Sequence, residues 1–167
     1  AISLAEARTR TFARRKIFIV STPTISGASA IEREYEASDQ RRYFVPCPHC
    51  NHPQWLRFEQ LRWDKGAPET AAYICESCYT AISEHHKTWM LERGEWQAMA
   101  QGKTAGFHLS SLYSPVGWRS WRDIAAAWEA AVNKESGSAA AIKTFKNTEL
   151  GETWVEEGEA PDWQRLV

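Results

Sequence analysis

The chain has 167 residues, enough for one domain or for one domain with a small satellite, and its formal net charge is −1. A hydrophobic content of 43% and a charged content of 25% are ordinary for a folded globular protein. This balance gives no support by itself to nucleic-acid binding, and no apolar run approaches the roughly 18 residues of a membrane span. We therefore expect a soluble protein of the cytoplasm, where cysteines stay reduced and can bind metal.

The first 37 residues predict a helix, a strand, a loop and a second helix. Capping boxes at residues 3–6 and 29–32 mark the two helix starts, because each has Ser followed three residues later by Glu. Residues 17–20 are a short apolar run without alternation, which is typical of a strand covered on both faces in a parallel sheet. The strand leads into a hydroxyl-rich loop. Such a strand needs neighbours, so we expect it to join later strands or strands from a longer chain.

Four cysteines, which are all the cysteines of the chain, form two C-x2-C pairs separated by 24 residues. The residues are Cys47, Cys50, Cys75 and Cys78. This spacing predicts a tetrahedral Zn²⁺ site, because two C-x2-C turns can direct four thiolates at one ion. A closed tetrahedron leaves no position for water, so the expected role of the metal is structural.

Other interpretations of the four cysteines are weaker. Two disulfides are possible by count, but the chain is not cysteine-dense and shows no secretory signal. A redox C-x2-C would need one motif rather than two. A deaminase-type zinc site would need H-x-E upstream of the first pair, and no His precedes it. His49 and His52 flank the ligands and could replace one of them, although polar loop residues are the more ordinary interpretation.

Short strands at residues 43–45, 54–58 and 71–74 lead into or away from the two cysteine pairs, which together predict a zinc ribbon stabilised by its metal. Further on we expect a short helix near residues 84–91 and a strand at 107–113. A helix capped by Ser120 follows, and then a second helix over roughly 138–147. Past Gly151 the chain becomes acidic and loses its periodicity, which predicts a linker or an arm that docks elsewhere.

Gly102-Lys103-Thr104 is similar to the end of a phosphate-binding P-loop, but that motif requires glycine at position 97, where Gln97 stands. The chain therefore contains no nucleotide-binding loop of this type. Arg57, Arg62 and Lys65, between the cysteine pairs, could contact phosphate or could equally be solvated surface residues.

Several stretches, in one order along nearly the whole chain, resemble the large terminase subunit of lambda-type tailed phages. They include Ser38-Asp39-Gln40-Arg41, the run from Val45 to Cys50, the run from Gly106 to Pro115, and Phe145-Lys146-Asn147-Thr148. Asn51 and Tyr79 depart from the family, which more commonly has Gly after each cysteine pair. The departure leaves the metal ligands intact.

The resemblance implies an ATP-driven DNA-packaging motor with an ATPase domain and a metal-dependent endonuclease domain. Ser21, Thr22, Pro23 and Thr24 would correspond to the ATPase coupling motif, although a hydroxyl-rich turn without that role has the same composition. ATP and Mg²⁺ are implied for the intact protein, whose P-loop and nuclease carboxylates would lie outside these residues. Implied partners are double-stranded DNA, the small terminase subunit and the portal.

We therefore expect a mixed α+β chain in four parts. Residues 1–40 would end a parallel α/β ATPase sheet, residues 41–82 would form the four-cysteine zinc ribbon, residues 83–150 a β-plus-helical connection, and residues 151–167 an acidic linker toward a nuclease domain. Such a fragment should have no catalytic residues and no enzyme activity of its own. The alternatives are a standalone zinc-ribbon adaptor that binds protein or nucleic acid, or a degenerate prophage remnant.

Overall fold

The structure is a computed structural model that describes Leu4, residues 7–132 and residues 138–155. This part of the chain contains seven strands: β1 (Arg41–Pro46), β2 (Pro53–Trp55), β3 (Leu61–Asp64), β4 (Ala67–Ile74), β5 (Ala81–Ile82), β6 (Glu95–Gln97) and β7 (Phe107–His108). The α-helices with described bounds are α1 (Ala30–Glu36), α2 (Lys87–Glu92), α3 (Trp121–Val132) and α4 (Ala139–Phe145), and Leu4, Ala7 and Arg8 are also helical. Helix α4 continues as a π-helical turn over Lys146–Leu150.

The strands form two small sheets that are mainly antiparallel. In the first sheet, β1 pairs antiparallel with β2 and β6 and parallel with β7. In the second sheet, β4 pairs antiparallel with β3 and β5. The predicted mixed α+β class is confirmed at this level, and the parallel ATPase-type sheet is not present among the described strands.

The core takes side chains from both sheets and from helix α3, among them Val45, Tyr73 and Trp121. Two buried tyrosine hydroxyls hold the chain that links the sheets: Leu56 N–H donates to the Tyr113 hydroxyl at 2.6 Å, and Arg57 N–H donates to the Tyr73 hydroxyl at 3.1 Å. The Tyr113 hydroxyl in turn donates to the Tyr43 carbonyl in β1 at 2.7 Å. Burial raises the pKa of Tyr73 to about 12 and also raises the pKa of Tyr113, so both hydroxyls stay protonated at neutral pH.

Helix α3 begins with the capping arrangement that its sequence predicts. The Ser120 hydroxyl accepts from Asp123 N–H at 3.0 Å, and the Asp123 carboxylate accepts from Ser120 N–H at 3.0 Å. Glu84 adds an interaction that the sequence does not reveal, because its carboxylate accepts from Trp121 N–H at 3.1 Å. The same carboxylate pairs at 2.5 Å with the ammonium of Lys87, which is fully buried. A carboxylate and a buried cation thus fix the start of α3.

The segment between β6 and β7 packs against the end of α1 rather than forming a free loop. The Asp39 carbonyl accepts from Met99 and Ala100 N–H, both at 3.1 Å. A Cβ on Gly102 would lie 2.4 Å from the Ser38 carbonyl carbon, and one on Gly106 would lie 1.9 Å from the Ser38 hydroxyl oxygen. Glycine at both positions is required by this close approach. The 102–104 stretch therefore belongs to a packed connection, consistent with rejecting it as a P-loop.

The predicted strand over residues 17–20 is wrong for this structure. These residues have no regular secondary structure, and Phe18 and Val20 are 86% and 75% exposed. A strand needs neighbours to pair its backbone N–H and carbonyl groups, and no described strand pairs with this segment. The apolar run predicted burial on both faces, and among the described residues no element covers it.

Two other predictions are only partly right. The predicted strand 107–113 ends after His108, and a 3-10 turn over Ser111–Tyr113 follows, because Leu112 and Tyr113 are both buried and cannot alternate. The capping box at residues 29–32 does start α1, but the Glu32 carboxylate accepts from Gly27 N–H at 2.7 Å instead of returning to Ser29.

The helices predicted near residues 84–91 and 138–147 are confirmed.

Some predictions fall outside the described residues. They are the capping box at 3–6, of which only Leu4 is described, and the acidic linker beyond residue 155. Within the described ranges, no helix is long and apolar enough to cross a membrane.

The pair formed by Glu84 and Lys87 yields a stability prediction. Changing Glu84 to Gln leaves the buried Lys87 ammonium without its counter-ion, so we expect a loss of about 3–5 kcal/mol in the free energy of unfolding. Glu92→Gln is the matched control, because Glu92 is exposed and pairs with the exposed Arg93; its cost should stay below about 1 kcal/mol. Urea unfolding followed by tryptophan fluorescence measures both. Equal effects of the two substitutions would contradict this account of α3.

Candidate metal centre

Each cysteine pair occupies the turn of an antiparallel hairpin. Cys47 and Cys50 lie between β1 and β2, and Cys75 and Cys78 lie between β4 and β5. The predicted strands on either side of the cysteine turns are confirmed in outline, although β2 ends at Trp55. The two turns come from different sheets, so their meeting is a tertiary contact.

The two turns have the same hydrogen bonds. In the first, Cys47 N–H donates to the His52 carbonyl at 2.9 Å and Asn51 N–H donates to the Cys47 carbonyl at 2.9 Å. In the second, Cys75 N–H donates to the Thr80 carbonyl and Tyr79 N–H donates to the Cys75 carbonyl, both at 3.1 Å. Backbone N–H groups also point at sulfur: the N–H of the second residue after Cys47 lies 3.4 Å from its Sγ, and the same holds for Cys75. Such N–H groups stabilise negative charge on the sulfur atoms.

The four sulfur atoms converge, and all lie within 4.8 Å of one another. Cys47 Sγ is 3.9 Å from Cys78 Sγ, and Cys50 Sγ is 3.7 Å from Cys75 Sγ. A zinc ion with Zn–S bonds of about 2.3 Å places tetrahedral sulfur ligands about 3.8 Å apart, so this set fits a Zn²⁺ ion. The cysteines are free thiols, since a disulfide needs sulfur atoms about 2.05 Å apart. Among the described residues, the flanking histidines 49 and 52 do not belong to the converging group.

The backbone conformation after each turn explains why glycine is the commoner residue at these two positions in the family. Asn51 and Tyr79 have φ angles of 61° and 58°, in the left-handed region. Glycine adopts this region without a steric penalty, whereas a residue with a Cβ does so at a cost, which is smaller for Asn than for Tyr. Tyr79 is 78% exposed, so its ring contributes little packing to offset that cost.

The thiols differ in their electrostatic surroundings. Burial raises the pKa of Cys47 to about 12, because no water solvates its thiolate. Hydrogen bonds from the hydroxyl and the backbone N–H of Thr80 lower the pKa of Cys78 to about 6. A buried thiolate beside three other sulfur atoms requires a nearby positive charge, which a divalent cation would supply if one were bound there.

A polar network beside the cysteines holds the second turn against β2, and the sequence offered no signal for it. The Glu76 carboxylate binds His52 Nε2 at 2.9 Å and Arg57 at 2.7 Å. Glu76 N–H also donates to the side chain of buried Gln54 at 3.0 Å. Arg57, which the sequence left open as a phosphate contact, is therefore paired with a carboxylate. Arg62 donates to the carbonyl of the residue before it at 3.2 Å.

The residues of the predicted coupling motif lie elsewhere, in the extended segment that precedes α1. The Ser21 hydroxyl donates to the Thr22 carbonyl at 3.0 Å, and Thr24 contacts residues near the end of the described chain. They are separate from the metal centre. The four sulfur atoms of the centre could hold a metal ion, and four thiolate ligands would complete a tetrahedron around it.

Comparison with known proteins shows the family to which the chain belongs. Residues 1–96 match the family model for the phage terminase large subunit gpA, ATPase domain, and residues 104–167 match that for the terminase large subunit gpA, endonuclease domain. The chain belongs to the phage terminase large subunit (gpA) family. The resemblance seen in the sequence is confirmed. The endonuclease-domain match begins at residue 104, within the part of the chain that the sequence analysis treats as a connection.

Two relatives support the family assignment. The chain is 35% identical over 173 residues to a large terminase subunit of Enterobacteria phage P21, an alignment that covers 88% of this chain and 26% of the relative. It is 31% identical over 170 residues to the large terminase subunit of Escherichia phage lambda, covering 85% of this chain and 25% of the relative. The chain thus spans about a quarter of the length of these relatives. No solved structure matches it.

The left-handed residue after the second cysteine turn yields a prediction. Tyr79→Gly should raise the free energy of unfolding by about 1 kcal/mol, because glycine removes the steric penalty of a positive φ. Tyr79→Ala is the matched control: it removes the same exposed ring but keeps a Cβ, so it should not stabilise. Denaturant unfolding distinguishes the two variants. A stabilisation of equal size in both would show that the ring, and not the backbone, is responsible.

Proposed function

We propose that these residues are part of a DNA-packaging terminase large subunit, an ATP-driven motor that translocates viral DNA and cuts concatemers. The observation that carries the proposal is the order of the two matches, an ATPase domain followed by an endonuclease domain, along one chain. The chain has no P-loop of its own, so ATP and Mg²⁺ would bind residues of the intact subunit that lie outside it. A standalone zinc-ribbon adaptor would not account for both matches.

In this proposal, Ser21, Thr22, Pro23 and Thr24 form the ATPase coupling motif. The exposed apolar side chains just before them support it, since residues 17, 18 and 20 are 46%, 86% and 75% exposed. Such a segment fits a strand that is covered in the parallel ATPase sheet of the intact subunit. Hydroxyl groups at the carboxyl end of a parallel strand then face the crevice where nucleotide phosphates bind.

We further propose that Cys47, Cys50, Cys75 and Cys78 bind one structural Zn²⁺ ion. The sulfur spacing, the matching hydrogen bonds of the two turns and the buried position of Cys47 and Cys75 support this assignment. The ion would neutralise thiolate charge and join two hairpins from different sheets. The module that holds it has short strands and a small core, so much of its stability would come from the metal.

The four-part organisation remains our proposal for this region: an ATPase end at 1–40, a zinc ribbon at 41–82, a connection at 83–150 and an acidic linker at 151–167. The match to the endonuclease domain from residue 104 suggests that the connection contributes to that domain. The partners of the intact subunit would be double-stranded DNA, the small terminase subunit and the portal, in the cytoplasm of the infected host cell.

Metal analysis tests the zinc assignment directly. We expect one zinc per chain by elemental analysis, and we expect Cys75→Ser to lose both the metal and the folded structure seen by circular dichroism. Ser77→Ala is the control, since Ser77 lies in the same turn and its side chain is not a ligand; it should keep the zinc. A chain that is fully folded without any metal would overturn the assignment.

ATP hydrolysis tests the motor assignment. A full-length terminase large subunit that contains these residues should hydrolyse ATP, and double-stranded DNA should increase the rate, whereas residues 1–167 alone should show no turnover because they lack a P-loop. The comparison is made at equal molar concentration, with phosphate release as the readout. Turnover by residues 1–167 alone, or none by the full-length subunit, would contradict the proposal.

A further inference from the structure

Thr24, the last residue of the predicted coupling motif, is hydrogen-bonded to the part of the chain that matches the endonuclease domain. The carbonyl oxygen of Thr24 accepts two hydrogen bonds: one from Asn147 Nδ2 at 3.2 Å and one from Trp154 N–H at 3.0 Å. Both donors lie in the region matched by the endonuclease family, and Thr24 lies in the region matched by the ATPase family. A single backbone carbonyl therefore joins the two.

The contact continues beyond Thr24. Ser26 N–H donates to the Trp154 carbonyl at 2.9 Å, so that Ile25 and Trp154 form a parallel bridge. The Glu32 carboxylate accepts from the Ser26 hydroxyl and from Gly27 N–H, and the latter is the largest cause of its lowered pKa. A hydrogen bond to the side chain of residue 153 lowers that pKa further. The chain over residues 24–27 is thus fixed on one side by residues 153 and 154 and on the other by its own helix α1.

The segment that carries these two donors, residues 147–154, is held by hydrogen bonds of its own. His108 Nε2 binds the Gly151 carbonyl at 3.0 Å, and His108 Nδ1 accepts from Arg42 in β1. Burial, together with the charge of Arg42, lowers the pKa of His108 to about 4, so the ring is neutral at pH 7 and can accept at one nitrogen while it donates at the other. Glu152 N–H donates to the Lys146 carbonyl at 3.1 Å and closes the turn. The residue at position 147 therefore projects from a rigid turn.

The orientation of the Asn147 side chain is set by this one contact. A carbonyl oxygen only accepts, so the nitrogen of the carboxamide must face Thr24. The other end, Oδ1, is buried and has no hydrogen-bond partner among the described residues. A buried acceptor without a partner is unfavourable, so the side chain is kept in place at a cost, as is common for groups that serve a function.

We propose that Asn147 is a positioning residue of the ATPase coupling motif. Its amide, together with the Trp154 backbone, would hold the Thr24 carbonyl and thereby set the direction in which the hydroxyls of Ser21, Thr22 and Thr24 point. The inference rests on the proposed function of those four residues. It adds that ATP turnover is linked to DNA movement only while Thr24 is held by the region that matches the endonuclease domain.

The test uses a full-length terminase large subunit that contains this chain, with DNA packaging and ATP hydrolysis measured together. Asn147→Asp has nearly the same shape but replaces the donor with an acceptor that repels the Thr24 carbonyl. We expect about a fivefold or larger rise in ATP consumed per length of DNA packaged, with the KM for ATP unchanged within about twofold. Asn147→Gln, which keeps a donor on a longer side chain, should recover part of the coupling.

Thr148→Ala is the matched control. The Thr148 hydroxyl lies in the same π-helical turn and donates within its own helix, to the Thr144 carbonyl at 2.7 Å, so the ratio of ATP to DNA should match that of the unchanged protein. The proposal is overturned if Asn147→Asp leaves that ratio unchanged while the unchanged protein is active. It is also overturned if the variant loses hydrolysis and packaging in equal proportion together with thermal stability, which would indicate a structural role only. A full-length subunit without DNA-stimulated hydrolysis would instead overturn the proposed function, and this inference with it.

Discussion

The convergence of four cysteine sulfur atoms is the constraint on which the arrangement of the two cysteine hairpins depends. The two cysteine turns belong to different sheets, and their sulfur atoms come within 4.8 Å of one another. Bringing four thiols so close requires both hairpins to adopt one relative orientation. The left-handed backbone at Asn51 and Tyr79 shows that the chain accepts local strain to close each turn. Neighbouring contacts of Glu76 and Gln54 then fix the second turn against the strand that leaves the first.

Buried polar groups do much of the remaining positioning. The hydroxyls of Tyr73 and Tyr113 accept hydrogen bonds from the backbone that links the two sheets, and the Tyr113 hydroxyl donates to the Tyr43 carbonyl. Glu84, paired with Lys87, accepts from the first backbone N–H of α3. Each of these polar groups has a hydrogen-bond or ion-pair partner, so each favours one relative position of the elements that it joins. In a region with a small apolar core, such contacts limit the number of alternative packings.

The boundary between the two family matches is not a boundary in the fold. Strand β7 follows residue 104 but pairs in parallel with β1, which lies in the ATPase-matching region. The connection between them packs on residues 38 and 39, where Gly102 and Gly106 leave no room for a side chain. Thr24 is bound by Asn147 and Trp154. The hydrogen bonds of Leu56 with Tyr113 and of Trp121 with Glu84 cross the same boundary, so the two matched regions share one packed structure.

The local features of this protein were predictable from its sequence. The C-x2-C spacing predicts the two cysteine turns, and the serine caps predict the starts of α1 and α3. Short apolar runs beside the cysteines predict β1 and β4. All these signals depend on neighbouring residues only. Several short matches in one order were enough to indicate the family. What the sequence could not show is which distant groups meet, as Glu76 meets Arg57, Glu84 meets Trp121 and Asn147 meets Thr24.

Those pairs are separated by 19 or more positions in the chain, and only tertiary packing decides which distant groups meet. The same reason explains the failure at residues 17–20, where an apolar run predicted a buried strand and the described residues supply no neighbouring strand for it. A strand forms only when another strand satisfies its backbone, which is a property of the assembled fold. The sequence by itself thus determined the candidate ligands, the caps and the family, whereas the tertiary structure decided how the two sheets and the two matched regions are joined.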